Sequence, residues 1–163
     1  MDFNSANDLR QWAASIETAL GITLGSTETG AFVLHSTAGA MLGIEPVPGM
    51  RALALTGQIG VADGVFGERK LRALLALNLT AGLSGTGVIG VAPDSQAVLV
   101  RLLWTPVETA WTEEIFTAVL AAFAEHVDAL SAALANGEIE QVLTAFSDRP
   151  PVTHIVGDSP NLA

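Results

Sequence analysis

The chain has 163 residues, half of them hydrophobic and 15% charged, which excludes wholesale disorder and suffices for one domain with a buried core. Seventeen acids against seven Lys and Arg give a formal net charge of −10, a field that repels phosphate backbones and argues against a nucleic-acid partner. The absence of cysteine excludes disulfides, thiolate zinc sites and cysteine nucleophiles together.

No apolar run is expected to approach the roughly 18–20 residues that span a bilayer, since Arg101 interrupts the best stretch around 97–104. The opening MDFNSANDLRQW has neither the basic nor the apolar region of a secretory signal, so the expectation is a soluble cytoplasmic protein without a membrane partner. The acidity is uneven: beyond Pro106 nine acids face Arg149 alone, a balance of −8. It reads as a solvated helix face that also attracts basic partners.

A first helix is expected over 8–20, with Asn7 or Ser5 as N-cap, an apolar stripe of Leu9, Trp12, Ala13, Ile16 and Leu20, and Gly21 as its stop. Three short strands follow. Over 31–36, Phe32 and Leu34 alternate with Val33 and His35; 41–45 is stopped by Pro46-Val47-Pro48-Gly49; 51–61 places Leu53, Leu55, Ile59 and Val61 on one parity, with Gly57 and Gly60 marking a bend or bulge. Period-two patterning with short connections predicts an antiparallel meander covered on one face.

A second helix is expected over 67–81, carrying Leu71, Leu74, Leu75 and Asn78, with Gly82 ending it. Asn78 interrupts an apolar stripe; it either fixes register or caps a loop, or faces water at the helix edge. Hairpin strands over 87–92 and 96–104 are joined at Pro93-Asp94. The third helix opens at Thr112 with Glu113 and Glu114 in its first turn, and carries Phe116, Leu120, Phe123, Val127, Leu130 and Leu134. After Asn136-Gly137 comes a short amphipathic piece with Ile139, Val142, Leu143 and Phe146, then a proline-containing tail over 147–163 expected to be flexible.

The whole reads as α+β: an antiparallel five-stranded sheet with three main helices (α-β-β-β-α-β-β-α) plus a short C-terminal helix. One domain is expected over 1–146, with its core at 7–135 and the extra short helix at 137–146.

Groups suited to catalysis are sparse, and no enzyme, metal site or cofactor is expected. Gly85-Thr86-Gly87-Val88-Ile89-Gly90 fits GxGxxG as a string, but it follows a helix and enters a strand, the reverse of a dinucleotide fingerprint. His35, His126 and His154 have no metal-ligand spacing, and no GxSxG elbow is present. His35, Arg51, Arg101 and Glu45 are scattered among strands, which leaves a small-ligand site or an enzyme the weakest reading. Arg69, Lys70 and Arg72 form the basic cluster, placed to pair with Glu68 or with the acidic C-terminal half. The indoles of Trp12, Trp104 and Trp111 suit either a core or the anchoring of an inserted peptide.

The stretch LRALLALNLTAGLSGTGVIGVA (71–92), the following QAVLVRLLWTP and the acidic helix beginning TEEIFTAVLAAF resemble the class I chaperones of bacterial type III secretion, which escort effectors. The resemblance covers about 7–135, rests on apolar spacing, and is weakest in the extension past the last helix and in the Ala- and Gly-rich composition. It implies a homodimer paired through Leu71, Leu74, Leu75, Asn78, Val88, Ile89 and Val91. It also implies an ATP-independent role in which the extended N-terminal region of a secreted effector protein is held secretion-competent. Grooves between the first helix and the sheet would take that segment, at Leu9, Trp12, Ile16, Phe32, Leu34, Leu99 and Trp104. A different dimeric α+β adaptor that binds a folded partner remains the alternative.

Overall fold

The computed structural model describes residues 4–62, 67–79 and 87–141. Its elements in order are α1 (Ser5–Leu20), β1 (Gly25–Ser26), β2 (Phe32–His35), β3 (Met41–Pro46), β4 (Leu53–Val61), α2 (Gly67–Leu77), β5 (Val88–Val91), β6 (Ala97–Trp104) and α3 (Glu113–Ala135), with a 3-10 turn at Glu108–Ala110. Six strands form one antiparallel sheet in the order β1-β2-β3-β4-β6-β5.

The α+β architecture stands, with six strands in place of the five expected. The added β1 is two residues long, pairing Gly25 with Val33 and Ser26 with Phe32. A polar segment this short has no alternation from which a strand could be read. α1 starts earlier than expected, because the Asn4 side chain accepts the Asn7 N–H at 3.2 Å and takes the N-cap. Gly21 ends the helix in the left-handed region, at φ 64°. Thr112 caps α3 through the Ile115 N–H, 3.3 Å away, and Glu113 and Glu114 sit at the positive end of its dipole.

Alternation along each strand divides the sheet into two faces. Phe32, Leu34, Leu42, Ile44, Leu53, Leu55, Val98, Val100 and Trp104 are buried under α1 and α3. The α3 stripe of Phe116, Leu120, Phe123, Val127, Leu130 and Leu134 is buried on that face too, as its spacing predicts. α3 does reach the length and hydropathy of a bilayer span, contrary to expectation. Its many alanines raise the mean, while its large apolar side chains are spent on the sheet and Glu113, Glu114, Glu125 and Asp128 share the helix.

Close approach of α3 requires glycine beneath it. A Cβ on Gly57 would collide with both methyls of Val127, and one on Gly60 would lie 2.7 Å from Leu134 Cδ2. Between them, β4 bulges: Gln58 pairs with Leu99 and Gly60 with Val98, leaving Ile59 as the extra residue. The expected bend is therefore present, but it shifts parity, so Val61 turns outward (48% exposed) instead of continuing the line of Leu53 and Leu55. Asp128 of α3 accepts from Ser36 Oγ and, at 3.4 Å, from the Ala38 N–H, fixing the β2–β3 turn to the helix.

Both Trp12 and Trp104 join an aromatic cluster with Trp111 and Phe116. Trp104 stacks on Trp111 with centroids 4.9 Å apart, Trp12 lies 5.4 Å from Trp111, and Asp8 Oδ2 accepts the Trp111 Nε1–H at 2.8 Å. Ile139 is buried in the core; the rest of the expected short helix beyond Gln141, the tail and the glycine-rich exit at 80–86 lie outside the described residues.

Replacing Gly57 with Ala is expected to destabilise the fold by about 1–3 kcal/mol through overpacking against Val127. Adding Val127→Ala should recover part of that loss, giving a double-mutant coupling of at least about 0.5 kcal/mol in chemical denaturation.

Candidate partner-binding surfaces

Helix α2 presents two apolar edges. Ala73, Leu74 and Leu77 are buried in the core, while Leu71 and Leu75, and Leu79 in the turn just past the helix, are 41%, 58% and 79% exposed. The neighbouring β5 adds Val88 and Val91, exposed by 66% and 40%. The seven residues expected at a dimer contact are thus brought to one end of the molecule, in two layers. Leu71, Leu75, Val88 and Val91 are exposed, with Val88 turned to the sheet face that Leu99 and Arg101 share, while Leu74 and Ile89 are buried.

Asn78 joins the layers. Its Oδ1 accepts the Ile89 N–H at 2.8 Å and its Nδ2 donates to the Ile89 carbonyl at 3.0 Å, so both ends of the amide are engaged on β5. Asn78 takes none of the roles left open for it, register, a loop cap or a water-facing edge: it ties the strand β5 to the end of the helix. Leu79 was missed, although it continues the i+4 line of Leu71 and Leu75. The rim is charged: Arg72 pairs with Glu68 one turn away. Both side chains are mostly exposed, so this pair adds little stability.

The second surface is the sheet face opposite α1 and α3. Val33, Met41, Gly43, Glu45, Thr56, Gln58, Leu99 and Arg101 line a shallow depression of about 310 Å³ there. A second, of about 270 Å³, continues it towards Val88, Gly90 and Val91 and shares Thr56, Leu99 and Arg101. The lining is chiefly apolar, with the Glu45–Arg101 ion pair (3.2 Å) crossing it above Thr56. Met41 (49% exposed) and Leu103 (51%) also face outward. Of the residues expected to contact a partner, Leu99 lies on this face. Leu9, Ile16, Phe32, Leu34 and Trp104 are enclosed in the chain's own core, and Trp12 is half-buried over it on α1. Val33 and Met41 were missed; their signal is parity, opposite to Phe32, Leu34 and Leu42.

The polar residues scattered in sequence do not converge into a reacting centre. Arg101 is engaged with Glu45 and Arg51 with Glu108, 3.2 Å apart, at separate places. His35 lies beside α1's end, in a depression of about 330 Å³ with Thr23, Ser36 and Thr37. Among the described residues no three His, Asp or Glu are grouped as metal ligands. These surfaces can hold a polypeptide by apolar contact.

No protein-family model matches the chain, and no curated protein matches it. Among solved structures it is similar to the chain seen in the crystal structure of the ExsC–ExsE complex, at 19% identity and a TM-score of 0.65, over 81% of this chain and 97% of that one. It is also similar to a structure of the Yersinia pestis type III secretion chaperone SycH in complex with a stable fragment of YscM2, at 17% identity and a TM-score of 0.52, over 74% of this chain and 97% of that one. A meander backed by two helices, with a third helix leading into the last hairpin, is thus the fold of the type III secretion chaperones.

Proposed function

We propose that the chain is a homodimeric, ATP-independent chaperone that binds the extended N-terminal segment of an exported effector in the cytoplasm and keeps it secretion-competent. The observation that carries this reading is the apolar surface left over on a fold of that kind: the α2–β5 row and the bare sheet face. Fully burying one such Leu or Val side chain is worth about 1.5–3 kcal/mol, a gain that contact with another polypeptide would supply.

For the first surface the favoured occupant is a second copy. A two-fold contact buries the same row on both chains. It also falls where repulsion is least: three of the chain's seven bases, Arg69, Lys70 and Arg72, flank this row in a protein of net charge −10. The client surface is proposed at Leu99 with Val33 and Met41, and at Trp12 on α1, with Leu9, Ile16, Phe32, Leu34 and Trp104 supporting these positions from beneath. Methionine suits such a face because its thioether adapts to varied side chains. The work is binding, with no catalytic step and no cofactor.

Wild-type protein is expected to sediment as a dimer at micromolar concentration, and Leu75→Glu to sediment as a monomer with an unchanged far-UV spectrum. A monomeric wild type would sink the dimer. In the source cell, co-purification of one dominant exported protein should depend on that protein's N-terminal segment and be unaffected by ATP. Leu99→Glu should weaken it by about tenfold or more, the loss of roughly 1.4 kcal/mol. Binding that survives removal of the client's N-terminal segment would favour an adaptor for a folded partner instead.

A further inference from the structure

β5 forms one margin of the sheet, and such a margin offers N–H and C=O groups to any strand that comes alongside. The β5–β6 ladder uses the even positions of β5 and its end, as the 2.9 Å bond from the Ala92 N–H to the Ala97 carbonyl shows. Ile89 and Val91 therefore turn their backbone groups outward. Of these two, Ile89 is the residue whose N–H and C=O are both taken by Asn78, at 2.8 and 3.0 Å. A primary amide holds a donor and an acceptor in one plane, as a peptide unit does. Asn78 thus stands where one peptide of an added strand would stand.

We infer that Asn78 is an edge guard: by occupying both outward groups of Ile89 it closes β5 to strand addition, so that a second copy meets this end through side chains and not by continuing the sheet. This rests on the dimer proposed above. Two-fold contact along the row of Leu75, Leu79 and Val88 brings two β5 edges together in antiparallel sense, the arrangement in which bare edges zip into one sheet. The row and the guarded amide are neighbours, so the same contact that buries the leucines would otherwise offer the ladder as a rival. Closing the edge leaves one mode of pairing, a case of specificity set by excluding the alternative.

The test is amide hydrogen exchange at Ile89, read by NMR above and below the concentration at which the wild-type dimer dissociates. An intramolecular bond to Asn78 keeps the Ile89 N–H protected within about twofold on dilution, whereas a bond supplied by the second copy loses protection by roughly tenfold or more. In Asn78→Ala the expected result is the reverse of wild type: Ile89 unprotected when dilute and protected again when concentrated, as freed edges pair. A dimeric wild type whose Ile89 protection vanishes on dilution overturns the guard and leaves the dimer standing. So does an Asn78→Ala dimer in which Ile89 stays unprotected at every concentration. A wild type that is monomeric throughout overturns both. If Asn78→Ala does not fold, the wild-type dilution series decides.

Discussion

The approach of α3 to the sheet over Gly57 and Gly60 governs the rest of the molecule. Because those positions have no Cβ, Val127 and Leu134 descend onto β4, and the apolar stripe of a 23-residue helix becomes the roof of the core. That single contact commits one face of the sheet to the interior. α1 fills the remaining space on the same side through Leu9 and Ile16. The opposite face receives no helix among the described residues, and α2, tied to β5, is left with one apolar edge in and one out.

This asymmetry separates what the sequence made legible from what it did not. Helix stripes, strand alternation, the turn at Pro93-Asp94 and the bend in β4 all follow from local chemistry, and each is present. The strand β1 escaped because two residues carry no periodicity. The direction of Val61 escaped because a bulge reverses parity without leaving a mark beyond its glycines. Leu9, Ile16, Phe32 and Leu34 show a deeper limit. Spacing says that a side chain belongs to an apolar face; it does not say whether that face is covered by the same chain or by another. The helix α2 makes the same point from within one stripe, since Leu74 and Leu75 are adjacent in sequence, the one buried in its own chain's core and the other exposed.

Charge and apolar surface are distributed to match. Acids dominate the C-terminal half, including the length of α3, whereas the exposed leucines of α2 are bordered by Arg69, Lys70 and Arg72. An acidic chain is kept apart from its copies over most of its surface and is least repelled at one end. The bare sheet face instead carries a balanced pair, Glu45 and Arg101, across an apolar floor. A balanced charge pair adds no net sign to that depression.

All three tryptophans of the chain lie in one corner, where α1, the end of β6 and the approach to α3 meet, with ring centroids about 5 Å apart. The α2–β5 end has no indole. Intrinsic emission is consequently a single-site optical reporter: a segment settling against Trp12 would alter its wavelength or yield, while events at the leucine row would pass unseen unless they travelled through the core. The protein carries, without any label, a probe of the corner around Trp12 on the helix-covered side of the sheet.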